Sequence, residues 1–595
     1  MIQQSDDMSP HADPLYHKRV WWKESIFYQI YPASFKDSNG DGWGDIPGVL
    51  QKIEYIASLG VDVVWLSPMF DSPQVDMGYD VSNYEKVYAP YGTVQDVEDL
   101  IAACHKYDMK LILDLVVNHT SDQHAWFKES RSSKHSPKRN WYFWQPARYD
   151  DQGRRMPPTN YRSYFAGGSW TWDEHTEEYY LHLYDKSQPD LNWENEDCRK
   201  AIYKSAMRFW LDKGIDGFRI DTVNKYSKVL PFADAPVTDP TSFTQTAPER
   251  WCNGPRIHEF IKEMNTAVLN HYRTYDGLPL CTVGELSLCP DPSDVIPYVS
   301  SCNKELDMVF QFDITHLGQG PPGGTSKYDF APWTLPEMKC IVQKWQTFID
   351  GTDAWTTVFN ENHDNGRSVS RFANDASEWR DKSAKMLAIW LAAQSGTLFL
   401  YQGQEIGMIN APSNWDVEAE YKDVESQNYW AEAVRLDDNG KDPGRKERIK
   451  RGLQLMARDH ARLPFQWDAS PNAGFSVGTP WMRVHDEYPE INAAAQEGDA
   501  QSVLSFYKTM LAMRKDHKDV FVYGTFELLD PLGEETFVYR KRSGERTAIV
   551  VLNFTKENQP VSRATVEGLT LLVSSYRKAI MESLHPLEGR IYTNF

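Results

Sequence analysis

Long apolar runs are missing from this sequence of 595 residues. No stretch reaches the roughly 18 apolar residues that a membrane-spanning helix requires. The N-terminal residues 1–20 are polar and lack the apolar core of a secretory signal peptide. The sequence therefore predicts a protein that neither crosses a membrane nor follows the secretory pathway, and it places the protein in the cytoplasm.

Positive charge is scarce relative to negative charge. The chain has 63 Lys and Arg residues against 84 Asp and Glu residues, a formal net charge of -21 at pH 7. Nucleic acids and anionic membranes carry dense negative charge, so their partners need a basic surface. We therefore expect no nucleic acid and no membrane among the partners.

Cysteine is also sparse, with seven residues in the chain. The number is odd, and no spacing between them suggests a disulfide framework or a zinc site. Free thiols in a reducing compartment are the expectation, which agrees with the cytoplasmic prediction.

What the sequence does contain is a regular alternation of short apolar runs with helical patterns. Continuous apolar strands are typical of a parallel sheet that is buried on both faces. Eight such units predict an α/β protein with a (β/α)8 TIM barrel. The predicted strands span residues 26–32, 61–68, 110–119, 215–221, 280–285, 308–313, 356–364 and 396–405.

Three segments depart from this alternation. Residues 120–185, after strand three, form an inserted domain rich in Trp, Tyr, Arg and Gly, and residues 406–480 form a charged insertion. Short alternating strands near the C-terminus predict an antiparallel β domain over residues 513–595. The barrel itself is then predicted to span residues 20–119 and 186–512.

Acidic residues follow several of the apolar strands. Asp221 ends strand four, Glu285 ends strand five and Asp364 ends strand seven. The C-terminal ends of barrel strands converge on one face, where catalysis usually takes place. Carboxyl groups that share a poorly solvated pocket cannot all ionise easily, so one donates a proton while another attacks. This division of roles is that of a glycosidase.

Four of these stretches, "DLVVNH", "GFRID", "VGE" and "NENHD", resemble the core motifs of the α-amylase family, glycoside hydrolase family 13. Further matches are "GWGDIPGV", "QPDLNWEN" and "GTLFLYQGQEIGM", so the resemblance covers almost the whole chain. "MGYDVSNYE" and "ARDHARLPFQWDASPNAGF" are similar to the α-glucosidase, maltase and oligo-1,6-glucosidase branch, and most of all to fungal cytosolic maltases.

The resemblance implies a role for each matching residue. Asp221 would be the nucleophile, Glu285 the general acid and base, and Asp364 the residue that stabilises the transition state. Arg219 would keep Asp221 ionised, and the pair of Asp76 and Arg458 would close the pocket behind a terminal glucose. The substrate-binding residues implied by the resemblance are Asp76, Tyr79, His119, Tyr184, Gln188, Arg219, Thr222, His363, Arg367 and Arg458, with Arg367 near the pocket entrance.

The activity implied is that of an exo-acting, retaining α-glucosidase. It would release α-glucose from the non-reducing end of maltose and other short α-glucosides through a covalent glucosyl-enzyme intermediate, with transglucosylation. In this branch a Thr at the position of Thr222 goes with α-1,4 activity, although α-1,6 and α-1,3 activity stay open.

Two other readings use the same scaffold. The first is a sucrose isomerase or a trehalose synthase. The second is the non-catalytic heavy chain of amino-acid transporters, which the complete catalytic set and the missing membrane span argue against. A calcium-sensing or carbohydrate-binding protein without turnover is disfavoured by the same catalytic set.

The loop "DSNGDGWGD", residues 37–45, opens like an EF-hand calcium loop. The bidentate Glu expected at position twelve is replaced by Gly48, so the loop is not an EF-hand. Similar loops in the oligosaccharide-cleaving branch bind one structural Ca²⁺, and the resemblance implies the ligands Asp37, Asn39, Asp41, Asp45 and the carbonyl oxygen of Trp43. The alternative is a metal-free loop built from Asx turns.

Overall fold

The computed structural model describes residues 19–320 and 327–595. The prediction that the N-terminus is not a signal peptide falls mostly on residues 1–18, which lie outside the described residues. Eight parallel strands form the central sheet, at the positions predicted from the sequence. They are β1 Ile26–Ile30, β2 Val63–Leu66, β3 Lys110–Leu115, β4 Gly217–Ile220, β5 Cys281–Glu285, β6 Met308–Phe310, β7 Thr357–Val358 and β8 Thr397–Tyr401.

The strands close into a barrel. Hydrogen-bonded neighbours run in the order β6-β5-β4-β3-β2-β1-β8-β7. The hydroxyl of Thr357 in β7 donates to the carbonyl oxygen of Val309 in β6 over 3.1 Å, which joins the two remaining strands. All residues of these strands are buried, as expected for a sheet that is covered on both faces. The predicted barrel is confirmed.

Several strands are shorter than predicted at their C-terminal ends. The predicted strand over 356–364 keeps ladder pairing only at Thr357–Val358. The chain that follows leaves the sheet while still buried, and it carries His363 and Asp364 over the end of the barrel. The apolar pattern therefore predicts the position of the strand, and the loop that follows it supplies the polar side chains of the pocket.

Helices cover the barrel and begin where local sequence favours them. Thr93 and Asp96 form a capping box at the start of Val94–Lys106, which buries one apolar face. The helical segments are Trp21–Glu24, Pro32–Phe35, Ile46–Gln51, Ile53–Ser58, Val94–Lys106, Ala125–Arg131, Glu196–Ile202, Tyr203–Arg208 (a π-helical turn), Phe209–Leu211, Pro248–Trp251, Ile257–Ala267, Pro292–Val299, Asp313–His316, Leu335–Thr347, Ser368–Phe372, Arg380–Ala392, Val417–Glu420, Val424–Asp438, Arg445–Met456, Ala493–Gln496, Val503–Asp516 and Lys518–Phe521.

The inserted domain after β3 contains a small antiparallel sheet. Its strands are Trp144–Gln145, Glu178–Leu181 and Trp170–Asp173, in that spatial order. Arg148–Tyr149 and Arg155–Met156 pair separately. The charged insertion contributes helices Val424–Asp438 and Arg445–Met456, which share a buried apolar cluster around Tyr328.

The C-terminal domain is an antiparallel sheet, as predicted. Its strands are β9 Thr525–Leu528, β10 Thr536–Ser543, β11 Arg546–Asn553, β12 Thr570–Ser574 and β13 Gly589–Thr593, in the spatial order β9-β10-β11-β13-β12. Short strands Gln559–Pro560 and Ser583–Leu584 form a second ladder.

Two sequence expectations concern the molecule as a whole. Among the described residues, no helix is both long enough and apolar enough to span a bilayer. The seven cysteines are free, and Cys302 and Cys340 are exposed.

Candidate active site

A pocket lies at the C-terminal ends of the barrel strands, under the inserted domain. Strands β3, β4, β5 and β7 deliver polar side chains to it, and the loop after β2 and the inserted domain complete its wall. The lining residues are Asp76, Tyr79, His119, Phe165, Tyr184, Asp221, Thr222, Glu285, His363, Asp364 and Arg458. All of them except Phe165 are in the set predicted from the sequence.

Arg219 joins three carboxyl groups at the floor of this pocket. Its Nη1 donates to Asp114 over 2.7 Å and to Asp221 over 2.6 Å. Its Nη2 donates to Glu285. Because Asp221 and Glu285 contact one planar guanidinium, their carboxyl groups lie side by side and face the same volume.

Local backbone features bring Asp221 and Glu285 close together. Gly217 in β4 pairs with Cys281 in β5, and a Cβ at Gly217 would lie 2.0 Å from the Cys281 carbonyl oxygen. The glycine therefore allows the close approach of β4 and β5, whose ends carry Asp221 and Glu285. Thr222 follows with φ of 41°, a left-handed conformation that is rare for a β-branched residue and turns the chain sharply after the nucleophile candidate.

The carboxyl groups differ in their affinity for a proton. Burial raises the pKa of Glu285 to about 7, although Arg219 and Lys225 oppose this rise. Burial also raises the pKa of Asp221, opposed by Arg219 and by a hydrogen bond from Glu285. The pKa of Asp114 is raised to about 6, again by burial. Glu285 is therefore suited to hold a proton close to neutral pH and to give it up on demand.

Asp364 has the opposite environment. Its Oδ1 accepts hydrogen bonds from Arg458 over 3.3 Å and from Arg462 over 3.2 Å, and Oδ2 lies 3.1 Å from His363 Nε2. Burial alone would raise the pKa of Asp364, but His363 and the two arginines outweigh it and hold that pKa below its usual range. Asp364 is therefore a fixed negative charge in the pocket.

His363 is held in one orientation. Its ring stacks on Tyr79 with centroids 5.2 Å apart, and Nε2 lies 2.6 Å from the Tyr79 hydroxyl. Gln29 Nε2 lies 2.8 Å from Nδ1, and because this amide group is a donor, Nδ1 accepts and Nε2 carries the proton. Burial lowers the pKa of His363 to about 3, so the ring is neutral.

One end of the pocket is closed by ion pairs. Arg458 Nη2 donates to Asp76 over 2.7 Å and to Asp423 over 2.6 Å. Gln188 Nε2 donates to the other oxygen of Asp76 over 2.9 Å, and the guanidinium of Arg458 lies 4.9 Å from the centre of the Phe165 ring. These side chains thus leave no passage for further sugar units at this end of the pocket.

His119 and Tyr184 also line the pocket, and Gln188 Nε2, which donates to Asp76, lies 3.3 Å from His119 Nε2. His119 Nε2 lies 3.0 Å from the Tyr79 carbonyl oxygen, and its ring centroid is 5.2 Å from that of Tyr184. Burial lowers the pKa of His119, so it is also neutral near pH 7.

The position of Arg367 corrects one expectation. The resemblance implied that it lies near the entrance, but the side chain is fully buried. Its Nη1 donates to the Gln402 carbonyl oxygen over 2.7 Å and to Glu361 over 3.1 Å. The guanidinium thus pairs inside the protein, behind the loop after β8, because a buried carboxylate and unpaired carbonyl oxygens are available there.

Three residues at the closed end were missed by sequence reasoning, namely Asp423, Arg462 and Phe165. Asp423 accepts hydrogen bonds from both Arg458 and Arg462, the latter over 2.9 Å. It also caps the helix Val424–Asp438, where its side chain accepts from the Ser426 amide. In the sequence an Asp before a helix indicates an N-cap, and nothing there points to the pocket. Phe165 lies in the inserted domain, which contains many aromatic residues, and the sequence does not distinguish it from the others.

The calcium prediction concerns the loop after β1. Asp37 Oδ1 accepts from the amides of Asn39 and Gly40 over 3.0 and 2.7 Å, and Asp45 Oδ1 accepts from the Gly48 amide over 2.6 Å. The oxygens of Asn39 and Asp41 accept from amides two residues on, as in Asx turns.

This donor set is made of oxygen atoms only, which suits Ca²⁺. Burial raises the pKa of Asp45, and the negative charge of Asp37 adds to this rise, although hydrogen bonds from the Ser38 and Gly48 amides oppose it. Among the described residues no group of three or more His, Cys, Asp or Glu side chains could hold a metal ion. A calcium site here would need the Asn39 amide and Trp43 carbonyl oxygens as well, and it stays a prediction.

A (β/α)8 barrel with paired carboxyl groups at its C-terminal strand ends is the arrangement expected of a glycoside hydrolase. Residues 29–524 match the family model described as "Alpha amylase, catalytic domain". The chain belongs to the alpha-amylase family, as the motifs predicted.

Similar proteins come from both sequence and structure. An α-glucosidase of Candida albicans is 49% identical over 96% of this chain and 99% of its own length. An oligo-1,6-glucosidase of Saccharomyces cerevisiae is 45% identical over 97% of this chain and 99% of its own length. An isomaltulose synthase mutant of Erwinia rhapontici, solved with D-glucose, has a TM-score of 0.88 and 36% identity over 97% of this chain and 99% of its own.

Proposed function

We propose that this protein is an exo-acting, retaining α-glucosidase that releases α-glucose from the non-reducing end of maltose and other short α-glucosides. The observation that carries the proposal is the pair Asp221 and Glu285 on one guanidinium, facing a pocket whose far end is closed by Asp76 and Arg458. The α-glucosidase and oligo-1,6-glucosidase relatives support the substrate class.

The first half-reaction uses the two neighbouring carboxyl groups. Asp221 attacks the anomeric carbon of the terminal glucose while Glu285 gives its proton to the leaving oxygen. The glycosidic C–O bond breaks, the shortened sugar leaves as an alcohol, and a β-glucosyl ester forms on Asp221. Neutral His363 and ionised Asp364 hold the glucose hydroxyls, and the positive charge that develops on the ring is stabilised by Asp364.

The second half-reaction returns the enzyme to its starting state. A water molecule attacks the anomeric carbon, its proton passes to the Glu285 carboxylate, and Asp221 leaves as a carboxylate. Two inversions give α-glucose. A sugar hydroxyl in place of water gives a longer glucoside, so transglucosylation belongs to the proposal.

The linkage preference depends on the space beside the nucleophile. Thr222 lines the pocket, and its hydroxyl lies 3.2 Å from Asp221 Oδ2. We propose α-1,4 preference with weaker α-1,6 or α-1,3 cleavage, because in the α-glucosidase branch that this sequence resembles a Thr at this position goes with α-1,4 activity.

Two further proposals concern the protein outside the pocket. The oxygen atoms of the loop over residues 37–45 support one structural Ca²⁺. The free thiols support the cytoplasm as the site of action, because disulfides are rare in a reducing compartment.

A second candidate is a sucrose isomerase, because the solved isomaltulose and trehalulose synthases have TM-scores of 0.87 to 0.88 to this chain. The test is incubation of the purified protein with maltose, isomaltose, nigerose, sucrose and soluble starch, with products followed by chromatography. We expect free glucose from maltose at the highest rate and little action on starch. Conversion of sucrose into an isomeric disaccharide with little free glucose would favour the second candidate.

A further inference from the structure

Tyr184 lines the catalytic pocket, and its hydroxyl group has no hydrogen-bond partner among the described residues. Tyr184 follows the strand Glu178–Leu181 of the inserted domain, is half-buried, and lines the pocket together with Glu285. Among the hydrogen bonds of the described residues, only its main-chain carbonyl oxygen takes part, accepting from Ser163 and lying 2.9 Å from His182 Nδ1. The phenol hydroxyl therefore has its hydrogen-bonding capacity available to a ligand.

The ring that carries this hydroxyl is fixed by its surroundings. Tyr164 stacks behind it with centroids 5.1 Å apart and planes 18° from parallel, and Phe165 packs against it edge-on at 5.4 Å. The ammonium group of Lys225 lies 5.0 Å from the centre of the Tyr164 ring and 5.8 Å from that of Tyr184. Such stacked and cation–π contacts hold an aromatic ring in place.

The same contacts link Tyr184 to the proton donor. Lys225 also donates to the hydroxyl of Ser287, which lies two residues after Glu285. Burial raises the pKa of Tyr184 well above its usual value, and the charge of Glu285 raises it further. The phenol is therefore protonated at neutral pH and close to the carboxyl group that protonates the leaving oxygen.

We propose that the Tyr184 hydroxyl is a specificity determinant that binds a hydroxyl of the departing sugar and of an acceptor sugar, and so favours sugars over water in the second half-reaction. This inference rests on the function proposed above. In the transfer step an acceptor hydroxyl attacks the anomeric carbon, its proton passes to Glu285, and the ester bond to Asp221 breaks. Tyr184 holds the acceptor by a second hydroxyl and exchanges no proton.

The test uses Tyr184→Phe, which removes only the hydroxyl and keeps the stacked ring. The substrates are maltose, whose leaving group is a sugar, and p-nitrophenyl α-glucoside, whose leaving group has no hydroxyl to bind. We expect kcat/KM for maltose to fall about 10-fold more than kcat/KM for the aryl glucoside, the effect of one neutral hydrogen bond. The fraction of glucose transferred to maltose at high maltose concentration should fall by a similar factor.

Tyr180→Phe is the matched control. Tyr180 belongs to the same inserted domain, its hydroxyl donates to the Lys186 carbonyl oxygen over 2.8 Å, and it does not line the pocket. We expect this variant to keep the maltose-to-aryl ratio and the transfer fraction of the wild type.

Two outcomes would overturn the inference. One is a Tyr184→Phe variant with the wild-type ratio and transfer fraction. The other is an equal loss on both substrates, which would place Tyr184 with the terminal glucose alone. Failure of the proposed function is distinguishable, because the wild-type protein would then release no glucose from either substrate.

Discussion

Arg219 contacts three carboxyl groups that burial would otherwise keep from ionising together. A single guanidinium cannot neutralise three buried negative charges, so the group keeps at least one proton near neutral pH. The proton resides on Glu285 in our account because burial raises its pKa to about 7, while Asp221 accepts hydrogen bonds from Arg219 over 2.6 Å and from the Thr222 hydroxyl over 3.2 Å. The division into acid and nucleophile thus follows from burial and from one cation.

A prediction at this scale concerns the pH dependence of activity. The first half-reaction needs protonated Glu285, whose pKa is about 7. We expect kcat/KM for maltose to fall about tenfold per pH unit above roughly pH 7, because the free enzyme loses this proton. Steady-state kinetics from pH 5 to 9 measure this decrease in kcat/KM.

Glu285→Gln serves as the control for that decrease. The variant should lose activity on maltose by a factor of about 10² to 10⁴, since no side chain protonates the leaving oxygen. Its residual activity should not fall above pH 7. A decrease that persists unchanged in Glu285→Gln would assign the ionisation to another group.

At the scale of elements, the catalytic side chains lie at the strand ends and on the loops that follow, and the barrel strands determine where each loop begins. Buried carboxyl groups also occur between elements away from the pocket. Glu405 follows β8 and accepts from the hydroxyls of Tyr28 in β1 and Tyr55 in the helix Ile53–Ser58, over 2.7 and 2.8 Å. One side chain therefore ties three elements together.

We predict that Glu405 makes stability depend on pH. Burial raises its pKa from about 4.5 to about 7 in the folded protein. A carboxyl group with a raised folded-state pKa contributes stability that is complete below pH 4.5 and is lost as the pH rises through 7, a change of about 3 kcal/mol. Glu405→Gln removes this dependence.

Urea unfolding at pH 5 and pH 8 measures the effect. At each pH the free energy of unfolding of Glu405→Gln is compared with that of the wild type. From pH 5 to pH 8 this difference should move in favour of the variant by about 3 kcal/mol. A difference between variant and wild type that is the same at both pH values would contradict the account.

The loop over residues 37–45 gives a second prediction for an element. If one Ca²⁺ is bound, removal of the metal by EDTA should lower the melting temperature by a few degrees, and added Ca²⁺ should restore it. Asp41→Ala removes a predicted ligand whose side chain, among the residues that the structure describes, accepts only from the Trp43 amide, so the variant should show a smaller EDTA effect with little other loss of stability. An unchanged melting temperature, with no calcium found by elemental analysis, would show that the loop is metal-free.

For the whole molecule, the sequence predicts the barrel well because its strands are largely apolar and several helices begin at clear N-caps. It also predicts most of the pocket, because Asp221, Glu285 and Asp364 follow strands whose ends must converge. It does not predict Asp423, since contact between an insertion and the barrel depends on packing over long separations. The predicted location of Arg367 is wrong for a related reason: Glu361 lies on the same loop, but the Gln402 carbonyl oxygen belongs to the loop after β8.

The insertions also determine which substrates the molecule accepts. Phe165 and Tyr184 come from the inserted domain and Asp423 from the charged insertion, and together with Asp76 and Arg458 they enclose the barrel end. A closed pocket of this kind restricts attack to one terminal sugar, which is why we expect exo action on short glucosides.

The central claim is that Asp221 forms a covalent bond with glucose while Glu285 handles the proton. The most direct test is reaction with 5-fluoro-α-D-glucosyl fluoride, followed by proteolysis and mass spectrometry of the peptides. The account predicts a fluoroglucosyl group on the peptide that contains Asp221, and on no other carboxyl group. A label on Glu285, or active enzyme that forms no adduct and releases β-glucose first, would contradict it.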